Sequence, residues 1–458
     1  MTDRLILRNA TMVTGNSSAI GDLDIEDGRI SGVWPGGKRQ KWPAAREIDL
    51  RGKILMAGGI DTHVHFREPG MTWKADIASE STAALLGGIT SFVDMPNTTP
   101  PTVNLSTLED KLQRASRSSL VNYGFHIGAT NDNIEQIQRY ISLGLGTRFA
   151  GIKVFMGSST GNMLVDRDSA LEKVFGIHGK PILVHSEDEG IIKANLLDAT
   201  EKYGENIPFS MHPQIRSREA CIKSTHKALD LAIKYGTRLH VLHVSTAEEV
   251  EMLREAKKSN PLITAETSVN YLWFSDKDYA RMGGKLKSNP AVKTEDDRRA
   301  LIEALSDGTI DTIGSDHAPH LSEEKDRPYI ICPSGMPSVQ QSLPMAVHIA
   351  MSLGIPLTRI ASAFSEKPAS IFGIGSRGFL KKGCFADLVV IDPEGGQVIE
   401  TPVYKCGWTP YEGVKPSCRV EMVWINGIRV VKEGALCSET GQSNPRQLRF
   451  LPTVSSIG

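Results

Sequence analysis

The chain has no apolar run approaching the roughly 18 residues that a membrane-spanning helix needs, so a bilayer is not expected among its partners. Its start, Met1-Thr2-Asp3-Arg4-Leu5-Ile6-Leu7-Arg8-Asn9, lacks the apolar core and small-residue cleavage site of a secretory signal, and a cytoplasmic protein is expected. Charge of one sign is not in excess: 52 Lys and Arg face 53 Asp and Glu. That balance offers no footprint for nucleic acid and no charged tail. Any steering of an anionic substrate must therefore be local to its site. The six cysteines, Cys221, Cys332, Cys384, Cys406, Cys418 and Cys437, contain no Cys-x-x-Cys pair. They are too sparse for a disulfide scaffold and are expected as free thiols. No Gly-x-Gly-x-x-Gly follows an early strand, which removes support for a dinucleotide fold, and no internal repeat is evident.

What the 458 residues do contain is an α/β middle between two β-rich ends. Leu5-Ile6-Leu7, Asp22-Leu23-Asp24-Ile25 and Ile30-Ser31-Gly32-Val33 are strand-like, with Asp27-Gly28 as a hairpin turn. Ala386–Ile391 and Val420–Ile425 repeat that style, and Asn426-Gly427 is a second hairpin turn. One small β-sandwich domain built from both ends, residues 1–55 plus 376–445, is expected. The last dozen residues are expected to fray. In residues 56–375, apolar strands near 60–65, 90–95, 121–127, 151–156, 181–186, 239–244, 262–266 and 310–315 alternate with helical stretches such as Ser79–Leu86, Leu105–Ser116 and Ala247–Lys257. Eight such units predict a closed parallel (β/α)8 TIM barrel; an open doubly wound sheet is the alternative.

Metal-ligating residue types fall at the ends of these strands. His63 and His65 close the first; alternate strand residues face the same way, so both imidazoles point together at the barrel end where active sites sit. His185 ends strand five, His243 strand six and Asp316 strand eight. Nitrogen and oxygen donors without thiolates suit zinc, and also manganese or cobalt. Lys153 ends strand four among apolar neighbours. Alone it is a snorkelling or ion-paired lysine. Partly desolvated beside metal cations, its amine loses its proton and can add carbon dioxide, giving a carbamate with two oxygens to bridge two metals.

The run Gly59-Ile60-Asp61-Thr62-His63-Val64-His65-Phe66-Arg67-Glu68-Pro69-Gly70 resembles the first-strand motif of dihydroorotases in the amidohydrolase superfamily. Asp94-Met95-Pro96-Asn97-Thr98, Lys287-Ser288-Asn289-Pro290 and Ser315-Asp316-His317-Ala318-Pro319-His320 resemble further motifs of that family, in its order. The resemblance implies two divalent metal ions, zinc foremost. His63, His65 and Asp316 would bind the buried ion, His185 and His243 the more exposed one, and carboxylated Lys153 with a hydroxide would bridge them. Some bacterial members bridge with an aspartate; Lys153-Val154-Phe155 is instead similar to hydantoinases, which favours the carbamate. The implied activity is reversible closure of N-carbamoyl-L-aspartate to L-dihydroorotate in pyrimidine synthesis. Asp316, the one carboxylate in the ligand set, would shuttle the proton. The expected assembly is a homodimer.

Substrate choice rests on a carboxylate pocket. Arg67 shares the strand parity of His65, and its planar fork suits a carboxylate; the plain alternative is a surface salt bridge with Glu68 or Glu80. Asn97 and His320 can donate two further hydrogen bonds, and the resemblance adds Asn289. Hydantoinases and allantoinases share fold and metals, so only this pocket separates them. A non-catalytic scaffold relative is the alternative of another class; it would be expected to have lost ligands. Plainer roles are expected elsewhere. Asp61 supports the site or fills a barrel layer, His126 is a hydrogen-bonded core residue, and His317 is structural. Ser334–Pro337 can border the ring. Ser158–Asn162 is a substrate loop or a polar connection. Glu323–Arg327 is a solvated loop face.

Overall fold

The computed structural model describes residues 4–37, 45–157 and 163–451. Five strands open the chain: β1 (Arg4–Val13), β2 (Ser18–Glu26), β3 (Arg29–Pro35), β4 (Arg46–Asp49) and β5 (Ile54–Ala57). Then come β6 (Gly59–Val64), β7 (Ile89–Asp94), β8 (Asn122–Phe125), β9 (Ile127–Gly128) and β10 (Ile152–Phe155). β11 (Ile182–His185), β12 (Leu239–Val241), β13 (Thr264–Thr267) and β14 (Thr312–Ile313) follow. The chain closes with β15 (Leu388–Asp392), β16 (Arg419–Ile425), β17 (Ile428–Lys432) and β18 (Ala435–Leu436).

Strands β6 to β14 form the barrel. β6, β7 and β8 are parallel neighbours, and β9 to β14 continue in order as a second parallel ladder. β8 and β9 are one strand interrupted at His126, whose Nε2 bonds the Thr62 carbonyl at 3.0 Å, the structural role expected for it. The ring closes where Val64 bridges His317 and the His65 N–H donates to the His317 carbonyl at 2.8 Å. Eight strand positions result. Each is buried on both faces, which is why runs such as Ile182-Leu183-Val184 are continuously apolar instead of alternating. Helices between them are punctuated by side-chain caps. Thr246 and Glu249 form a reciprocal capping box at helix Ala247–Ser259, as Asn104 and Thr107 do at helix Leu105–Ser118. No helix among the described residues is long and apolar enough to cross a membrane.

Both chain ends meet in one nine-stranded sheet in the order β18-β17-β16-β15-β5-β1-β2-β3, with β4 added beside β1. The join is antiparallel, Ile54 opposite Ile391 and Leu55 opposite Val390. Leu7, Leu23, Ile25, Leu55, Leu388, Val390 and Trp424 form its own apolar core. The two hairpin turns carry the positive φ that a tight turn requires: 51° and 78° at Asp27-Gly28, 50° and 84° at Asn426-Gly427. Their tips abut; a Cβ on Gly427 would lie 2.4 Å from the Gly28 Cα, so glycine is needed on both sides.

Two expectations are corrected. The C-terminal stretch does not fray through Leu451: Gln447 bridges Tyr123, Phe450 bridges Ile374, and Leu448 and Phe450 are buried. Nor is Glu323–Arg327 a uniformly solvated face. Lys325 is buried and donates to the carbonyls of Lys287, Pro333 and Gly335, because the loops that fold over the charge run converge three carbonyls on one cation. Ser158–Asn162 lies outside the described residues.

Candidate metal centre

The strand ends bring His63, His65, Lys153, His185, His243 and Asp316 onto one cavity wall with Arg67, Asn97 and Asn289. His63 Nε2 and His65 Nε2 each lie 3.3 Å from Asp316 Oδ1. The far nitrogens are held: His63 Nδ1 donates to Glu266 Oε1 at 2.6 Å, and His65 Nδ1 to Asn97 Oδ1 at 2.8 Å. Burial pushes His65 down to about 4, so it is neutral near pH 7 and its single proton sits on Nδ1. A bare nitrogen lone pair thus faces a carboxylate oxygen. That arrangement is repulsive until a cation lies between them. His63, His65 and Asp316 form a group compact enough to hold one metal ion.

A second pair has the same character. His185 Nε2 donates to Glu187 Oε2 at 2.8 Å, leaving Nδ1 facing His243 Nε2 at 3.0 Å. Burial drives His243 well below its ordinary value, so it carries one proton, and its Nδ1 is buried without a partner among the described residues. Whichever nitrogen bears that proton, one buried nitrogen stays unsatisfied, a cost that a cation between the rings would relieve in part. The donor set therefore fits divalent metals at both positions.

Backbone strain marks the site. Arg67, His243 and Asp316 adopt φ of 64°, 39° and 48°, a region in which non-glycine residues cost on the order of 1–3 kcal/mol. Lys153 is 1% exposed and forms no ion pair among the described residues; its Nζ stands 4.6 Å from the Phe155 ring centroid. Burial pushes its amine down to about 7, against the opposing pull of Asp316 and Glu266. Burial alone would raise Asp316, but the neighbouring His63 holds its carboxyl below the usual carboxylate range.

Arg67 is not in a surface salt bridge. It is 2% exposed; Glu68 instead faces Arg114, and Glu80 bonds His317 Nε2 at 2.6 Å. Its Nε donates to the Pro319 carbonyl at 3.1 Å, Nη2 lies 3.1 Å from His320 Nε2, and Nη1 has no partner among the described residues. Desolvation pushes the guanidinium down to about 10, still cationic near pH 7. Asn289 presents a buried Oδ1 that also lacks a partner. His320 is placed differently: it stands behind Arg67, off the cavity wall. Lys74 donates to its Nδ1 at 2.9 Å, and its Nε2–H reaches the Ser334 carbonyl at 3.0 Å. Ser334 and Gly335 border the cavity.

Sequence reasoning missed Glu187 and Glu266. Glu187 pins His185 and is itself paired with Arg216; its signal was the strand parity it shares with His185. Glu266 is a fully buried carboxylate on β13 that orients His63 and lies 3.7 Å from His240. Its signal was a charged residue inside a barrel strand. Asp61, which accepts from the His63 and Ser315 N–H groups through Oδ1, ties β6 to the end of β14.

A barrel with converging histidines and aspartate at its C-terminal rim defines a class of metal-dependent hydrolases. The amidohydrolase family profile matches residues 54–430, and the chain belongs to this family. It is 34% identical to the dihydroorotase of Methanosarcina acetivorans over 447 residues, covering 93% of each chain. It is also 31% identical to the allantoinase of Rubrobacter xylanophilus, covering 95% of each. Among solved structures, the L-hydantoinase (dihydropyrimidinase) from Arthrobacter aurescens superposes with a TM-score of 0.91 at 27% identity, covering 98% of this chain and 100% of that one.

Proposed function

We propose that the protein is a dihydroorotase, interconverting L-dihydroorotate and N-carbamoyl-L-aspartate. The observation that carries this reading is Arg67: a buried guanidinium on the cavity wall with no carboxylate in ion-pair contact among the described residues. A buried, unpaired cation is costly, and a substrate anion seated against it offsets that cost. Dihydroorotate carries such a carboxylate; a plain hydantoin or dihydropyrimidine ring does not. Arg67 Nη1 and the Asn97 and Asn289 amides supply the fork and the neighbouring polar groups.

His63, His65 and Asp316 would hold one divalent cation, and His185 and His243 a second, with zinc the best match to the donors. Lys153, buried and without an acid partner among the described residues, would add carbon dioxide: its nitrogen bonds the carbon, a proton leaves, and the resulting carbamate would offer two oxygens to the cations. Bound there, the cations supply Lewis acidity, lowering the pKa of water and polarising the ring carbonyl. Asp316 takes a proton from the attacking water and returns it to the ring nitrogen as the C–N bond breaks. Glu266, Asn97 and Glu187 keep each imidazole at a fixed angle and tautomer throughout. Arg67 orients the ring by its carboxylate, so that the scissile carbonyl meets the water.

Closure is the reverse sequence and consumes a proton, because the open form bears one carboxylate more. Acid therefore favours dihydroorotate. Turnover of dihydroorotate, hydantoin and allantoin side by side on the metal-loaded protein tests the reading. Dihydroorotate should dominate; a preference for hydantoin or allantoin would overturn the assignment while leaving the metal chemistry standing. The likeness to L-hydantoinase supports the second reading, a hydantoinase, which the same comparison decides.

A further inference from the structure

A cleft of about 840 Å³ lies at the other end of the barrel. Arg148, on its wall, precedes the first residue of β10 by four positions, and the adjoining Gln447 bridges Tyr123 near the start of β8. The metal-facing residues sit instead at the C-terminal strand ends. The walls come from the end sheet, the barrel and the C-terminal stretch, and they bring Arg29, Arg148, Arg377, Arg446 and Arg449 into one cleft with Phe385.

The guanidinium carbons of Arg29, Arg377 and Arg446 lie 3.8, 4.1 and 5.0 Å from the Phe385 centroid. All three are thus within roughly 10 Å of one another, a screening length at 0.1 M salt, and they repel. Asp387 compensates Arg377, and Glu109 compensates Arg148. Arg29 donates to the Gly383 carbonyl at 2.7 Å. Arg29, Arg446 and Arg449 have no carboxylate partner among the described residues. Stacking on one ring pre-orients guanidiniums that ion pairs do not consume, and walls of one charge sign raise the local concentration of an anion.

We propose that this cleft binds a phosphorylated small molecule of nucleoside-triphosphate size, its phosphate chain held by Arg29, Arg446 and Arg449. Several charges on one short chain match three guanidiniums that have no carboxylate partner among the described residues, and their forks suit phosphate oxygens. The volume falls in the range of small-molecule sites, roughly 300–1,000 Å³, and leaves room for an organic body beside the phosphates. The position keeps this ligand out of the metal site.

Calorimetry on the full-length, metal-loaded protein tests it, with inorganic triphosphate, a purine nucleoside triphosphate and a pyrimidine nucleoside triphosphate as probes. R446Q/R449Q is the main variant and R29Q a second, in case the double substitution disturbs the C-terminal stretch. Metal chelation by the phosphate chain is common to all the proteins, so differences between them report the cleft. Wild type should bind with an affinity that falls as salt rises, and the double variant should weaken it at least about tenfold, as expected for losing two charge-assisted hydrogen bonds. Hydrolytic turnover in the variants should equal wild type. Tighter binding of a nucleotide than of inorganic triphosphate supports occupation by the organic body; equal binding supports a site for the phosphate chain. No binding by wild type, equal binding by wild type and variants, or a preference for a single-stranded oligonucleotide over every triphosphate would overturn the proposal.

Discussion

Arg67→Met is the sharpest perturbation of the proposed substrate pocket. An exposed arginine pairing with a substrate carboxylate would be worth less than about 1 kcal/mol. Arg67 is 2% exposed, so the pairing is desolvated, and its loss should cost about 2–5 kcal/mol of transition-state binding. At 1.36 kcal/mol per factor of ten, kcat/KM for dihydroorotate should fall about 30- to 5,000-fold. The substitution also deprives the Pro319 carbonyl of its donor, so some loss of thermal stability, about 1–3 kcal/mol, accompanies it. The assay therefore compares two rings on the same variant, dihydroorotate and a dihydropyrimidine without the carboxylate, at matched metal content and below the melting transition. A structural defect lowers both equally, whereas loss of the carboxylate contact lowers only the first. Arg67→Lys keeps the charge but not the fork and should fall between. Equal losses on both rings would refute the reasoning and remove the main support for dihydroorotase over its relatives.

Lys153→Ala should abolish most turnover, and short carboxylic acids should partly restore it by occupying the bridge; intact-mass measurement of active, metal-loaded wild type should show the added carbon dioxide, and an unmodified lysine there would refute the carbamate. Asp316→Asn should lower kcat by about 10²–10⁴-fold while substrate affinity largely survives; near-normal turnover at full metal content would exclude the proton shuttle. Glu266→Gln should weaken metal binding about 10- to 100-fold by loosening His63. Gly314→Ala should do so in part, because a Cβ there would lie 2.5 Å from the Glu266 carboxylate; unchanged affinity in competition with a chelator would show that Glu266 does not orient the ligand.

Much of the fold was legible because its signals are local. Period-two strand geometry put His63 and His65 on one face, and apolar runs interrupted by helices gave the barrel. Asp27-Gly28 and Asn426-Gly427 announced hairpins by their tolerance of positive φ. The set of side chains that converges on the cavity was readable for the same reason: a donor at a strand end is recognisable from its own strand. Lys325 was misread because a charge run looks solvated until the loops that cover it are known.

Partners across the barrel were not readable. Glu266 holds His63 from 203 residues away, and Arg67 meets His320 from 253 away. Arg67 and His320 each looked like a direct donor to substrate; only the closed barrel put one on the cavity wall and the other behind it. The sequence by itself determined the alternation of elements, the turns and the kinds of donor at each strand end, since these follow from backbone period and side-chain chemistry within a few residues. Tertiary structure alone decided which buried groups are paired and which are left open. That depends on desolvation and on contacts between distant segments, neither of which exists until the ring of strands has closed.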